Sequence, residues 1–485
     1  MTTQTPTQEA SENTLFGHPR KLFTLFNVEM WERFSFYGMQ AILAYYMYFS
    51  VAEGGLGMDQ TLALSLVGAY GGGVYLSTIF GAWVADRLLG SERVLFFTAI
   101  MIMCGHIALA VLPGGVGLAV GLVLVALGSG GLKATASSLV GSLYAEKDPR
   151  RDAGFSIFYM GVNIGGLVGP LLTGLLQENL GFHYGFGLAA VGMAIGLAVY
   201  ASGRRNLPES THHVANPLPR NLRARYGVGV LLALAAVAIL FATGAVDAAN
   251  LAMSIAYLVI AATVVYFVVI LRSKQVTAVE RRRVTAFMPL YVASAAFWAL
   301  FQQQFTFIAV YSEERLDRNL FGWEMPATWV QSINPVFIIV LAAVFAALWT
   351  KLGDRQPSTA LKFAGSLVII GIAYLVFIPL ESLEKTPLLA LVGILLLCTL
   401  AELLLSPIGL SVTTKLAPVA FTTQMIALFY LSVSLGTTLA GVLAGFYTEG
   451  NEIPYFVALG GTSIVLGIAL AAGTPAIKRL MSGVK

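Results

Sequence analysis

The sequence predicts an all-α polytopic membrane protein of fourteen transmembrane helices, in two six-helix blocks with two further helices inserted between them. Three observations carry this expectation. Of the 485 residues, 57% are hydrophobic and only 11% charged, whereas a soluble domain holds roughly a quarter charged residues. Apolar segments long enough to span a bilayer, about twenty residues each, recur along the whole chain. Lysine and arginine gather in alternate loops, and that bias sets orientation.

The segments fall near 22–50, 61–86, 93–112, 115–144, 153–179, 184–202, 226–244, 250–271, 284–311, 325–350, 359–380, 387–416, 421–447 and 454–475. The first six make one block, over residues 1–203. Residues 204–278 hold a polar linker with Pro208, Pro217 and Pro219, then two bland spans with Asp247 at their turn. Their blandness suggests packing away from any pathway. The last six spans make the second block, 279–485. With the N-terminus inside, the cytoplasmic loops are Arg87–Arg93, Lys147–Arg151, Arg204–Arg225, Arg272–Arg283, Lys351–Lys362 and Lys478–Lys485. The opposite loops carry only Arg315, Arg318 and Lys385, among Glu53, Asp59, Glu313, Glu314, Glu381, Glu449 and Glu452. Both termini are therefore expected in the cytoplasm. The first twenty residues are polar, so no cleaved signal peptide is expected. The net charge of +4 sits in loops and implies no nucleic-acid partner. Cys104 and Cys398 lie in apolar segments without metal spacing and read as small fillers. His212 and His213 read as a solvated loop pair, and His106 as a core residue.

The chemistry concentrates in polar residues inside the spans. Asn27-Val-Glu-Met-Trp-Glu-Arg-Phe-Ser-Phe-Tyr-Gly38 places Glu29, Glu32 and Arg33 near the start of the first span. Residues three and four apart share a helix face, so both carboxylates lie beside one guanidinium, and Tyr37 and Gln40 extend the stripe. A charge inside a membrane helix costs roughly 2.5–3.5 kcal/mol on insertion scales, so such charges are rare and functional by default. Lys133 sits near the middle of the fourth span, after Gly130-Gly131-Leu132. A phosphate loop needs Gly-Lys-Ser/Thr after a strand, and no other nucleotide machinery appears, so ATP-driven transport is not expected. Tyr159 and Asn163 share a face of the fifth span. Trp298 and Gln302 lie in the ninth, Asn334-Pro335 in the tenth, and Glu402 with Ser406-Pro407 in the twelfth. Proline bends a helix and frees backbone groups that a cavity can use.

The first stretch resembles the ExxERFxYYG signature of the proton-dependent oligopeptide transporter family, a branch of the major facilitator superfamily. Glu29, Glu32, Arg33, Phe34, Tyr37 and Gly38 match; Phe36 departs from a frequent tyrosine. Phe158-Tyr159-Met-Gly-Val162-Asn163-Ile-Gly165 resembles FYxxINxG with Val162 for isoleucine, and Phe297-Trp298-Ala299 through Gln302-Gln303 resembles FWAxxEQ with Gln302 for the glutamate. Gln40 stands where many relatives carry that glutamate's arginine partner, so both partners are neutral together. This suggests a rebuilt, uncharged hydrogen-bonding pair, because removing one partner strands a buried charge. Asp86-Arg87, echoed by Asp354-Arg355, is similar to the superfamily's loop motif and implies a structural tie at the cytoplasmic face.

The resemblance implies a major facilitator fold with its site between the halves at mid-membrane. It implies a proton-coupled symporter importing di- and tripeptides by alternating access, in the cell (inner) membrane, functional as a monomer, with the proton as coupling ion and no cofactor or metal. Such a protein is not an enzyme. Glu29 and Glu32 would carry protons in exchange with Arg33 and Lys133. Arg33 and Lys133 would hold the peptide carboxylate, and Glu402 the amine. Asn163 and Asn334 would meet the peptide bond and Tyr159 would contact the substrate beside Asn163, while Tyr37, Tyr75 and Trp298 shape side-chain pockets. Gln40, Gln302 and Ser406 would complete the site, with Phe429 where relatives carry a tryptophan. The five buried charges leave a net −1, which one proton neutralises. One rival keeps the fold and moves another small solute such as nitrate or an organic anion; Glu402 opposes it. A non-transporting membrane receptor or scaffold is the other.

Overall fold

The computed structural model describes residues 14–484 apart from Glu146, Lys147, Pro149 and Ala215. The expected loop charges Lys147 and Lys485, residues 1–13 and the Asp354 side chain lie outside the described residues. The helices are α1 (Arg20–Tyr48), α2 (Gln60–Val84), α3 (Ser91–Val111), α4 (Gly114–Gly141), α5 (Arg151–Leu180), α6 (Phe182–Gly203), α7 (Arg220–Ala242), α8 (Leu251–Arg272), α9 (Ala278–Phe301), α10 (Phe307–Glu314), α11 (Ile333–Leu352), α12 (Thr359–Leu375), α13 (Phe377–Leu380), α14 (Leu388–Leu416), α15 (Thr422–Ala444) and α16 (Glu452–Leu480). Two hairpins of two-residue strands, Thr14–Leu15 with His18–Pro19 and Asn319–Leu320 with Trp323–Glu324, and an isolated bridge between Leu316 and Thr386 are the β structure of the described residues.

Thirteen rods are long and apolar enough to cross a membrane, taking α9 with α10 and α12 with α13 as single rods. The fourteenth is α1, 29 residues long and so about 43 Å at 1.5 Å per residue, ample for a core of roughly 30 Å. Its low hydropathy comes from Glu29, Glu32, Arg33 and Gln40, all buried. These groups face other helices and are kept out of lipid.

The ninth span departs from a single continuous helix. Between α9 and α10 the chain tightens to a 3-10 turn over Gln302–Phe305, and Thr306 leaves helical geometry at φ −126°, ψ −95°. A 3-10 turn inside a helix often marks a functional hinge, and irregular backbone at membrane depth is tolerated where protein or a cavity surrounds it. Gln302, Gln303 and Phe305 there are buried.

In the first block α1 lies along α5 and α6, and α4 along α2 and α3. In the second, α12 lies against α14 and α16, and α9 against α15 and α16. The blocks meet where α2 packs on α15, and where α11 and the 3-10 turn Ala327–Ser332 pack on α5. Glycine makes two of these approaches close. A methyl group on Gly68 of α2 would lie 2.7 Å from the Gly441 Cα on α15. One on Gly165 of α5 would lie 2.7 Å from the Phe34 nitrogen, which seats α5 on the polar stretch of α1.

Hydrogen bonds bridge this seam from its middle to one end. Tyr45 Oη donates to Ala309 O at 2.8 Å, Trp329 Nε1 to Leu171 O at 3.0 Å, Ser332 Oγ to Leu167 O at 2.8 Å and Ser434 Oγ to Gly72 O at 2.8 Å. At the same end Arg318 lies 3.8 Å from Glu178 of α5, 3.2 Å from Glu313 and 2.8 Å from Glu324.

The linker lies on the α2–α3 loop. Asn216 N–H donates to Asp86 O at 2.9 Å and Leu218 N–H to Arg87 O at 3.0 Å. The Asp86 and Arg87 side chains are exposed, so the tie expected of them runs through their carbonyls. The buried charge is the neighbouring Glu92, 2.5 Å from Arg204 Nε and 3.3 Å from His212 Nδ1. His212 is thus held by a carboxylate, against the expectation of a solvated pair. The inserted helices differ from each other: α8 packs on α15, α2 and α9, whereas α7 has no buried residue. Cys104 is exposed and Cys398 buried, both free. His106 is fully buried, with neither ring nitrogen hydrogen-bonded among the described residues.

Candidate functional site

The polar stripe of α1 forms one compact group. Arg33 Nε donates to Glu29 Oε1 at 2.8 Å and lies 2.9 Å from Glu32 Oε2. Ser129 of α4 donates to Glu32 Oε1 at 3.0 Å. Among the described residues, Glu29 Oε2 is buried without a hydrogen bond, and Glu32 Oε2 has the ion pair but not hydrogen-bond geometry. Two carboxylates therefore share one guanidinium. That leaves spare acceptor capacity in a dry setting, where a buried charge needs full compensation. The helix period brings the three side chains to one face, as the sequence predicts.

Lys133 stands beside this group, without a close carboxylate contact among the described residues. Its Nζ lies 5.1 Å from the Phe36 ring centre and 5.3 Å from that of Tyr75. The Arg33 guanidinium lies 5.7 Å from the same Phe36 ring. Phe36 is thus flanked by two cations, and an aromatic face within about 6 Å of a cation attracts it.

On the other side of Phe36 and Tyr75 lies a cavity between the blocks. It holds about 840 Å³ of empty space, part of it open to solvent. Tyr37, Gln40, Tyr75, Tyr159 and Asn163 line it from the first block; Trp298, Gln302, Asn334 and Glu402 line it from the second. Nine of the sequence-predicted residues therefore meet around one space. Asn334 Nδ2 donates to Glu402 Oε2 at 3.1 Å and to Thr399 Oγ1 at 3.0 Å, which fixes the carboxylate. Asn163 Nδ2 is committed to Tyr159 O at 3.0 Å. Tyr37 stacks on Phe305 with ring centres 6.1 Å apart, which joins α1 to the broken helix.

Other predicted residues fall outside the lining. Arg33, Lys133, Glu29 and Glu32 do not line the cavity; Phe36 and Tyr75, which do, stand against Lys133. Ser406, four residues beyond Glu402, is half-buried away from the cavity. Phe429 is buried against Gly409 of α14, which fills its place with packing. Gln40 and Gln302 line the same cavity, but Gln40 Oε1 has no hydrogen-bond partner among the described residues and Gln302 lies against Tyr75.

Some lining residues escaped the sequence reading. Gln331 is buried in the 3-10 turn before α11, three residues ahead of Asn334. A polar residue one turn from an already noted asparagine was the available signal. Phe301, Gln304, Phe305 and Thr437 also line the cavity. Phe301 and Phe305 are indistinguishable from core aromatics by sequence, and Gln304 enters through the helix break.

The chain is similar to known proteins along its whole length. A family model described as the POT family matches residues 92–462. The chain is 44% identical over 473 residues to an uncharacterized transporter, YclF, of Bacillus subtilis (strain 168), covering 97% of this chain and 96% of that one. It is 40% identical over 491 residues to the di-/tripeptide transporter of Lactococcus lactis subsp. cremoris, covering 98% and 99%. A solved peptide transporter POT in complex with sulfate superimposes with a TM-score of 0.93 at 45% identity, over 97% of this chain and 98% of that one.

Proposed function

Since the chain belongs to the POT family, we propose that it is a proton-coupled symporter that imports di- and tripeptides by alternating access. The observation that carries this reading is the cavity between the blocks, with the Glu402 carboxylate on one wall and Lys133 behind the opposite one. A zwitterionic peptide has the matching polarity. Its ammonium pairs with Glu402, and its carboxylate points toward Lys133 and the Tyr37 and Tyr75 hydroxyls. The 40%-identical relative is named a di-/tripeptide transporter, which supports the substrate class. An acid in the cavity opposes the transport of simple anions.

The proton is the coupling ion, and no other cofactor is required. Glu29, Glu32 and Arg33 form the coupling group. A proton on either carboxylate removes one of two charges opposing Arg33 and frees it to face a substrate anion. The chain acts as a monomer in the bacterial inner membrane, with both termini cytoplasmic. It is a multi-pass membrane transporter and not an enzyme.

The test is counterflow of labelled dialanine into proteoliposomes loaded with unlabelled dialanine, with and without an inward pH gradient. Counterflow without the gradient and accumulation with it are expected. No counterflow of any dipeptide or tripeptide would overturn the reading.

A further inference from the structure

Among the side-chain amides that line the cavity, Gln331 differs in one respect. Both its Oε1 and its Nε2 are buried and without a hydrogen-bond partner among the described residues, and the residue is 7% exposed. Asn334 has spent its nitrogen on Thr399 and Glu402, and Asn163 has spent its own on Tyr159. A buried donor and a buried acceptor left idle together are costly, and native proteins keep few of them.

The backbone that carries Gln331 is fixed on both sides. Trp329 and Ser332, in the same 3-10 turn, donate to the carbonyls of Leu171 and Leu167 on α5. The turn belongs to the second block and its anchors to the first. Gln331 is therefore held in place by the seam and aimed into the cavity, and little ordering remains to be lost on binding.

A primary amide shows one N–H and one C=O along a single edge. A residue of an extended peptide does the same: its own N–H and C=O point to one side, the pairing edge that a neighbouring strand uses. We infer that Gln331 binds the substrate's backbone along that edge, its Oε1 accepting from a peptide N–H and its Nε2 donating to the carbonyl or carboxylate oxygen of the same residue. This inference rests on the reading of the cavity as a peptide site. It gives the site a contact common to peptides of any sequence without proline at that residue, because side chains do not take part.

The test replaces the peptide N–H without changing shape. Dialanine and alanyl-lactate, its ester analogue, compete for labelled dipeptide in wild type, Gln331→Met and Gln331→Leu. Wild type should prefer the amide by about tenfold, the value of one to two hydrogen bonds. Both variants should lose most of that preference, chiefly through weaker amide binding. Without peptide they should melt at or above the wild-type temperature, since an unpaired buried amide has gone. An undiminished preference in both variants would overturn the inference while leaving the transport reading intact. A lower melting temperature in both would overturn it too, by making Gln331 a packing residue. If wild type binds neither ligand, the peptide reading falls, and this inference with it.

Discussion

Glu402 is the acid that meets the cavity, and its carboxylate is oriented by Asn334. A charge-assisted bond to an ammonium is worth about 1.5–3 kcal/mol. Glu402→Gln should therefore weaken a free dipeptide by roughly ten- to a hundredfold and an N-acetylated dipeptide much less. Competition by both ligands at one pH measures this, and equal losses would move the amine site elsewhere. Glu29→Gln and Glu32→Gln bear on coupling. Each should abolish pH-driven accumulation and leave peptide exchange, as paired uptake and counterflow assays would reveal. At this scale the sequence was legible wherever a polar side chain interrupted an apolar run: Glu29, Glu32, Arg33, Lys133 and Glu402 stand out against leucine and valine. Aromatic positions were not. Trp298 lines the cavity while Phe429 packs on Gly409, and their hydropathy says nothing of which way each faces.

Among the elements, the contact of α2 with α15 tests whether the bridged end must close. Gly68 and Gly441 let the two backbones touch. A leucine at Gly68 leaves no room for that approach, so Gly68→Leu should abolish uptake. Cysteines placed at 45 and 309 should become reactive to a water-soluble maleimide in the Gly68→Leu background and remain protected without it. Helix α9 offers a control for folding alone. Thr277 Oγ1 accepts from Glu280 N–H at 3.3 Å, and Glu280 Oε2 accepts from Thr277 N–H at 2.8 Å, a reciprocal cap. Thr277→Ala should cost about 1 kcal/mol of stability, read as a lower melting temperature with unchanged peptide affinity. Helix existence was legible from apolar length, but the break at Gln302–Phe305 was not. It contains neither proline nor glycine, and tertiary contacts of Gln302 and Tyr37 with the cavity surround it.

For the molecule as a whole, the two blocks share one seam, and the cavity exists because neither block closes it alone. The stripe charges, Lys133 and Glu402 together carry a net −1, so one bound proton and one neutral zwitterion leave the interior uncharged. Uptake should accordingly rise as the external pH falls at fixed internal pH and vanish with a protonophore. Initial rates in proteoliposomes across a pH series check this, and rates independent of the gradient would contradict it. The fold was legible because bilayer length and loop charge act on long segments. The placing of Lys133 against Phe36 and Tyr75 was not, because it depends on two rings from different helices meeting in space.

Helix α7 has no buried residue and touches the bundle through the Tyr226 ring, 5.6 Å from that of Trp83, while α8 carries most of the hairpin's attachment to the bundle. Such a helix is nearly free of structural obligations. Its residues can drift among apolar types without altering transport, and its surface is the natural landing place for annular lipid. The same freedom makes the turn between α7 and α8, residues 243–250, a convenient socket. A small fluorescent or affinity module inserted there would ride on the protein without entering its working parts.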